Sequence, residues 1–226
     1  MDFLNNIIRY DIEHLPFIIL SLLLCFTIHE FAHAYSAYKF GDDTAYRLGR
    51  VSLNPMVHID WLGFILILLA GFGWAKPVPV RASRFKNPRL MSIIVSLVGP
   101  LSNLLLGTIA IVVYVLLIKA GVVIDGEYRI GSAIMVLFSY LITFNFLLFV
   151  FNLIPLPPLD GYRIVSELLP LKTRYMLSQN EHWGSIIFLL LVFIPPLRSV
   201  TIDPVLALGQ SIAGGITNFV VQLILG

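Results

Sequence analysis

From Leu90 to Ile118 the chain carries no charged side chain, and from Ile130 to Leu159 it again carries none. A helix crosses the ~30 Å hydrocarbon layer of a bilayer with about 20 apolar residues at 1.5 Å each, so both runs are long enough to span. A third run, from Leu15 to Tyr38, is also long enough to span, and apart from Cys25 its ionisable groups lie in its second half. In lipid a helix satisfies every backbone amide within its own segment, so runs of this length predict spanning helices. Composition agrees: 58% of the 226 residues are hydrophobic and 12% are charged, about half the charge that a water-facing surface needs. A net charge of +2, placed between apolar runs, argues against nucleic acid as a partner. One cysteine, Cys25, excludes a disulfide framework and a four-cysteine zinc site. The first residues are mixed in polarity (Asp2, Arg9, Asp11, Glu13, His14) and no small-residue cleavage site follows, so the first apolar run is expected to be retained.

The predicted architecture is a single all-α membrane domain over residues 1–226. Its spans fall at roughly 15–39, 90–118 and 131–156, with one or two C-terminal helices within 184–226, where Pro195 and Pro196 interrupt the pattern. The stretch from Trp61 to Trp74 is apolar but too short to cross, and it is rich in glycine and followed by Lys76, Pro77, Val78, Pro79 and Val80. A re-entrant membrane hairpin over about 61–80 fits these features, and the competing reading of Trp61 to Trp74 is an interfacial helix. If that stretch does not cross, one side of the membrane collects Lys39, Arg47, Arg50, Lys76, Arg81, Arg84, Lys86, Arg89, Arg163, Lys172 and Arg174. Arg9, Lys119, Arg129 and Arg198 fall on the other side. The positive-inside rule then puts the basic side in the cytoplasm and the N-terminus outside.

Within the three clear spans, taken short of their charged boundaries, the ionisable groups other than Tyr and Cys are His29, Glu30 and His33. Such groups are costly in lipid and mark functional sites. His29 and His33, four residues apart, share a helix face about one turn apart, so two imidazoles can grip one metal ion. Glu30 is placed to reach a water on that metal without being a ligand. His-Glu-Phe-Ala-His is the zinc-hydrolase pattern, in which the glutamate acts as general base. A third ligand is still needed. Cys25 is too far from His33 along the helix axis to share one tetrahedral centre, and it reads as a packed thiol. Asp160 is the better candidate, because Pro155, Pro157 and Pro158 must unwind the end of the third span and an unwound end can turn a carboxylate back into the protein. The competing reading of Asp160-Gly161 is an ordinary turn. His58, Asp60 and Asn54 read as turn-capping and packing residues rather than a second metal site.

Taken together these segments resemble the site-2 protease family of intramembrane zinc metalloproteases, in a compact form. The match runs from about Phe17 to Arg163. It comprises His29-Glu30-His33, Gly49-Arg50-Val51-Ser52-Leu53-Asn54-Pro55, Lys76-Pro77-Val78-Pro79-Val80, Gly99-Pro100-Leu101-Ser102-Asn103, and Asn152 to Gly161. Any one would be a weak signal; five in the family's order are specific. The resemblance implies one zinc ion held by His29, His33 and Asp160, with Glu30 as general base. It implies an endopeptidase acting in or near the transmembrane segment of a single-span membrane substrate, close to the cytoplasmic face, in a prokaryotic plasma membrane. Asn103 is expected to contact substrate or to join helices beside Gly99, Asn152 to order the unwound loop or the substrate, and Lys76, Pro77 and Val78 to pair with substrate as an added strand or to form a structural loop that shields the zinc. No stretch is long and polar enough for a PDZ or CBS domain, so regulation is expected to come through a separate partner or through trimming of the substrate before it reaches the enzyme; a homo-oligomer is left open as a further partner. The alternative function is a membrane metal-binding or transport protein using the histidine pair as a transit site. That reading calls for polar groups along a path through several spans, where this sequence offers one compact cluster.

Overall fold

The computed structural model describes residues 11–123 and 129–226; Arg9 lies outside them. Helix α1 (Leu15–Lys39) grows from a 3-10 turn at Ile12–His14, with Pro16 in its first turn, where a missing N–H costs nothing. After it come a single turn, α2 (Thr44–Arg47), and a 3-10 turn at Pro55–Val57. The Asn54 carboxamide caps that turn by accepting the Met56 N–H, and Asp60 caps α3 (Trp61–Ala70) by accepting the Gly63 N–H. Both therefore serve as the capping residues their positions suggest. The longest helix, α4 (Pro88–Lys119), starts on an Asn87 cap with Pro88 at its first position. It is followed by α5 (Arg129–Asn152), α6 (Asp160–Leu168), α7 (Leu171–Gln179), α8 (Glu181–Phe193) and α9 (Pro195–Leu225). No strand occurs among the described residues, in keeping with the all-α expectation.

Four helices are long and apolar enough to cross a membrane: α1 with its leading turn, α4, α5 and α9. The third span ends at Asn152 rather than near 156, because Pro155 disfavours helical backbone at the residue before it and has no N–H to continue the ladder. The C-terminal region consists of one short helix of 13 residues and one of 31. At 1.5 Å per residue the second is about 46 Å long and the first about 20 Å, too short to cross.

Helix α4 is the hub, packing against α1, α5, α6 and α9. Ile18, Leu22 and Cys25 of α1 meet Ala110 of α4, Leu141, Phe144 and Leu148 of α5, and Phe64 and Ile67 of α3 in one core cluster. Cys25 is therefore a buried free thiol. Ile111 and Val115 of α4 meet Phe146 of α5 and Val220 of α9 in another. Lys119 Nζ donates to the Ile224 carbonyl at 2.6 Å, so α4 and α9 finish together. The first turns of α9 thus lie at the opposite end, where Ile202 packs on Ile154 and Leu159 beyond the end of α5.

Between α1 and α4 the chain makes a helical arm and doubles back. Gly71 ends α3 in the left-handed region at φ 71° and donates to the Ile67 carbonyl. The returning chain then lies directly on the arm: a Cβ at Gly73 would fall 1.9 Å from the Gly63 carbonyl oxygen, and a Cβ at Gly63 would fall 2.2 Å from that of Trp74. Phe72, at the tip, packs edge-on or tilted against Phe151, Phe188 and Phe193. On the return the backbone is extended, and Lys76 N–H donates to the His58 carbonyl at 2.9 Å.

Candidate active site

The i,i+4 spacing on α1 brings the two imidazoles together edge to face, with His29 Nε2 and His33 Nε2 3.0 Å apart. Asp160 completes a triangle, its Oδ2 lying 3.2 Å from each Nε2. The carboxylate arrives from a distant part of the sequence because of the glycine after it. A Cβ on Gly161 would fall 2.3 Å from the Leu153 carbonyl oxygen and 2.6 Å from that of Ile154. Only glycine therefore lets the start of α6 press onto the unwound end of α5, and Asp160, the first residue of α6, is folded back toward α1. Its position in the first turn also suits a negative charge, given the helix dipole.

Each imidazole is held from behind. His29 Nδ1 bonds Asn103 Oδ1 and His33 Nδ1 bonds the Val95 carbonyl oxygen, both at 2.7 Å. Both partners are acceptors, so each Nδ1 carries the proton and, in a neutral ring, each Nε2 turns its lone pair inward. Two lone pairs and a carboxylate oxygen then converge on one point, which is repulsive unless a cation lies between them. Zinc, about 2.0–2.1 Å from tetrahedral N and O donors, spaces such donors about 3.3 Å apart by simple trigonometry, close to the triangle seen. The residues present therefore fit a zinc ion. Among the described residues, this is the one group of His, Cys, Asp and Glu arranged to hold a metal.

Asn103 is fully buried. Its Nδ2 donates to the Cys25 carbonyl at 3.2 Å and to Asn145 Oδ1 at 3.0 Å, which fixes the amide so that its oxygen faces His29. It stands behind His29 and joins α4 to α1 and α5, the second of the two readings that its sequence position offered. Asn145, whose own Nδ2 bonds the Leu141 carbonyl at 2.7 Å, is not marked by any motif in the sequence. A lone carboxamide in an uncharged run was the available signal. Gly99 is needed for this packing, since a Cβ there would fall 2.3 Å from His33 Cε1 and Nε2 and 2.9 Å from His29 Cε1.

Glu30 lies beside the triangle, buried, with Oε2 accepting the Val78 N–H at 3.0 Å. A cleft of about 430 Å³ opens in front of His29 and Glu30. Apolar side chains such as Leu22, Phe26, Phe72, Phe144, Phe151 and Leu206 line it, and the backbone from Gly71 to Ala75 forms one wall. Asn152 and Pro77 line the cleft; Lys76 and Val78 do not. The polar backbone of Lys76, Pro77 and Val78 is already taken: Lys76 N–H by His58, the Lys76 and Pro77 carbonyls by Arg50, and Val78 N–H by Glu30. The part of the return segment that faces the cleft with no such partner among the described residues is Gly73–Ala75. Arg198, grouped by sequence with the opposite face, lines this same cleft, because α9 begins at the end of the bundle where α5 stops.

Residues 122–195 match the model of peptidase family M50. The chain is 46% identical over 207 residues to YwhC of Bacillus subtilis, an inferred zinc metalloprotease by its name, covering 92% of this chain and 93% of that one. It is 29% identical over 186 residues to Rip2 of Mycolicibacterium smegmatis, named in the same way, covering 80% of this chain and 68% of Rip2. No solved structure matches.

Proposed function

The chain belongs to peptidase family M50, the site-2 protease family whose motifs it carries, and on that premise we propose that it is an intramembrane endopeptidase. It is a zinc metalloprotease with helices able to span a membrane. In the proposed reading it hydrolyses a peptide bond within or near the transmembrane segment of a single-span protein, close to the cytoplasmic face. The observation that carries this reading is the convergence of His29, His33 and Asp160 beside Glu30, at the head of an apolar cleft.

His29 Nε2, His33 Nε2 and one Asp160 oxygen would hold the ion. When bound, zinc supplies Lewis acidity, polarising a carbonyl and bringing the pKa of a coordinated water near 7. Asn103 and the Val95 carbonyl keep the two Nδ1–H groups pointed away and the Nε2 lone pairs pointed in. Glu30 has one oxygen anchored by Val78 N–H and presents Oε1 to take the proton of the attacking water and pass it to the leaving amine. The walls of Phe and Leu exclude bulk water, which strengthens each of these polar interactions.

A substrate helix hides its amides and must be unwound before attack. The return segment of the α3 hairpin supplies an extended backbone for this, with Gly73–Ala75 rather than Lys76–Val78 as the pairing edge. In this reading the hairpin enters and leaves the bilayer on the side that holds the basic loops, and the packing of Phe64 and Ile67 with Ile18, Leu22 and Cys25 of α1 supports a buried hairpin. With Arg198 joining that side, the positive-inside rule places it in the cytoplasm and the two chain ends outside.

The test compares the membrane proteomes of cells carrying the wild type and Glu30→Gln. One single-span protein is expected to accumulate uncut in the variant alone. If every membrane protein is processed alike in the two strains, the endopeptidase reading is overturned.

A further inference from the structure

Arg50 is buried, 6% exposed, and the mechanism above does not use it. It follows Gly49, which takes φ 68°, and its side chain enters between the end of α1 and the return segment of the hairpin. Nη2 donates to the Lys76 carbonyl at 2.5 Å and Nη1 to the Pro77 carbonyl at 3.4 Å. A buried guanidinium is costly in the absence of strong partners, and these two carbonyls are the ones it finds.

The peptide that follows explains the placement. In Pro77-Val78-Pro79 the two prolines have no N–H, so Val78 carries the single amide proton of the three, and that proton is donated to Glu30 Oε2 at 3.0 Å. The Pro77–Val78 bond is trans, the one cis bond among the described residues being Pro157–Pro158. In a trans peptide the C=O and N–H point to opposite edges of one plane. The plane is therefore gripped on both edges, by Arg50 at the Pro77 oxygen and by Glu30 at the Val78 nitrogen. Val78's side chain is packed with Ala34 and Ala45, so the plane has little freedom to shift as a body. Its remaining freedom is rotation about the chain axis, and Arg50 removes it.

We propose that Arg50 is a positioning residue for Glu30: by clamping the carbonyls of Lys76 and Pro77 it aims the Val78 amide at Oε2 and so fixes the carboxylate with Oε1 toward the cleft. This rests on the reading of Glu30 as general base. Arg50 does not line the cleft, so its effect falls on turnover rather than on substrate binding. If instead it only braced the hairpin edge against which substrate pairs, its loss would raise KM.

The experiment uses the full-length protein reconstituted in vesicles, with the single-span substrate that the proteome comparison identifies. Arg50→Ala and Arg50→Lys are measured beside wild type and Glu30→Gln for zinc content, hydrogen exchange at the Val78 amide, kcat and KM. For Arg50→Ala the expected result is wild-type zinc content, faster exchange at Val78, and kcat lower by about 10–100-fold, part of the 10²–10⁴-fold that a general base contributes. KM is expected to stay within about twofold, since uniform binding is untouched. Arg50→Lys, which keeps one charged donor for the Lys76 carbonyl, and added guanidinium ion with Arg50→Ala are each expected to restore part of kcat. Unchanged kcat and Val78 exchange in Arg50→Ala, or a loss confined to KM, would overturn the proposal while leaving Glu30 in place. Full activity in Glu30→Gln would remove the general-base reading itself, whatever Arg50 does. Should Arg50→Ala fail to fold, Arg50→Lys decides by the same measurements.

Discussion

At the scale of single residues, the site depends on groups that touch neither zinc nor substrate. Gly99 is the sharpest case. In an isolated helix alanine is favoured over glycine by about 1 kcal/mol, so Gly99→Ala would stabilise α4 if propensity decided. Here the added Cβ would fall 2.3 Å from His33 Cε1 and Nε2, against the edge of the ring that carries one of the three donors. Gly99→Ala is expected to lower zinc affinity by about 10-fold or more, the effect of disturbing a ligand's supporting partners, as read by competition with a chelator. Wild-type affinity with a raised melting temperature would show that the helices are not packed this closely. His29, Glu30 and His33 were legible because their spacing alone defines a helix face. Which of its two roles Asn103 takes was not, because which side of α4 meets α1 depends on glycine packing that one sequence does not display. Arg50 was legible as part of a motif and silent as to purpose, since its partners are backbone carbonyls 26 and 27 positions away.

Among the elements, the helical hairpin of α3 and its return segment couples the cleft wall to Glu30. Its sequence announced an apolar stretch too short to cross, and its glycines announced irregular backbone. That its first half is a helix was hidden by the same shortness, because about ten apolar residues in a row give no usable period. The contact of Gly73 on Gly63 sets the separation of the two arms. Gly73→Ala would drive a Cβ to within 1.9 Å of a backbone oxygen, which no side-chain adjustment can relieve, so the arms must part. Faster hydrogen exchange over 74–80 and loss of cleavage with zinc retained are the expected results. Unaltered exchange would mean that the return segment does not lie on the arm. The C-terminal pair, α8 and α9, was undecided in sequence because Pro195 and Pro196 are equally at home in a break and in the first turn of a helix; here they open α9.

For the whole molecule, the proposed topology has four spanning helices and a hairpin that enters and leaves on one side, which places both chain ends on the same face. The single native cysteine is buried, so introduced thiols report cleanly. Ser83→Cys and Ser178→Cys, both at exposed positions, are expected to react with an impermeant maleimide from one side, and Val122→Cys from the other. Labelling of Ser83→Cys and Ser178→Cys from opposite sides would mean that α4 and α5 do not both cross, and labelling of the pair from outside the cell would mean that α3 crosses. Three of the spans were readable from uncharged runs; the number of C-terminal helices and the position of Arg198 beside the cleft were not, the latter because it follows from α9 ending alongside Lys119.

The central claim is that one zinc is shared by two elements far apart in sequence, and the measurement that tests it most directly is zinc content of the purified protein with and without the Asp160 carboxylate. The account predicts one zinc per wild-type chain and per Glu30→Gln chain, and loss of most zinc from Asp160→Ala under the same dialysis. Full zinc content and unchanged affinity in Asp160→Ala would contradict it.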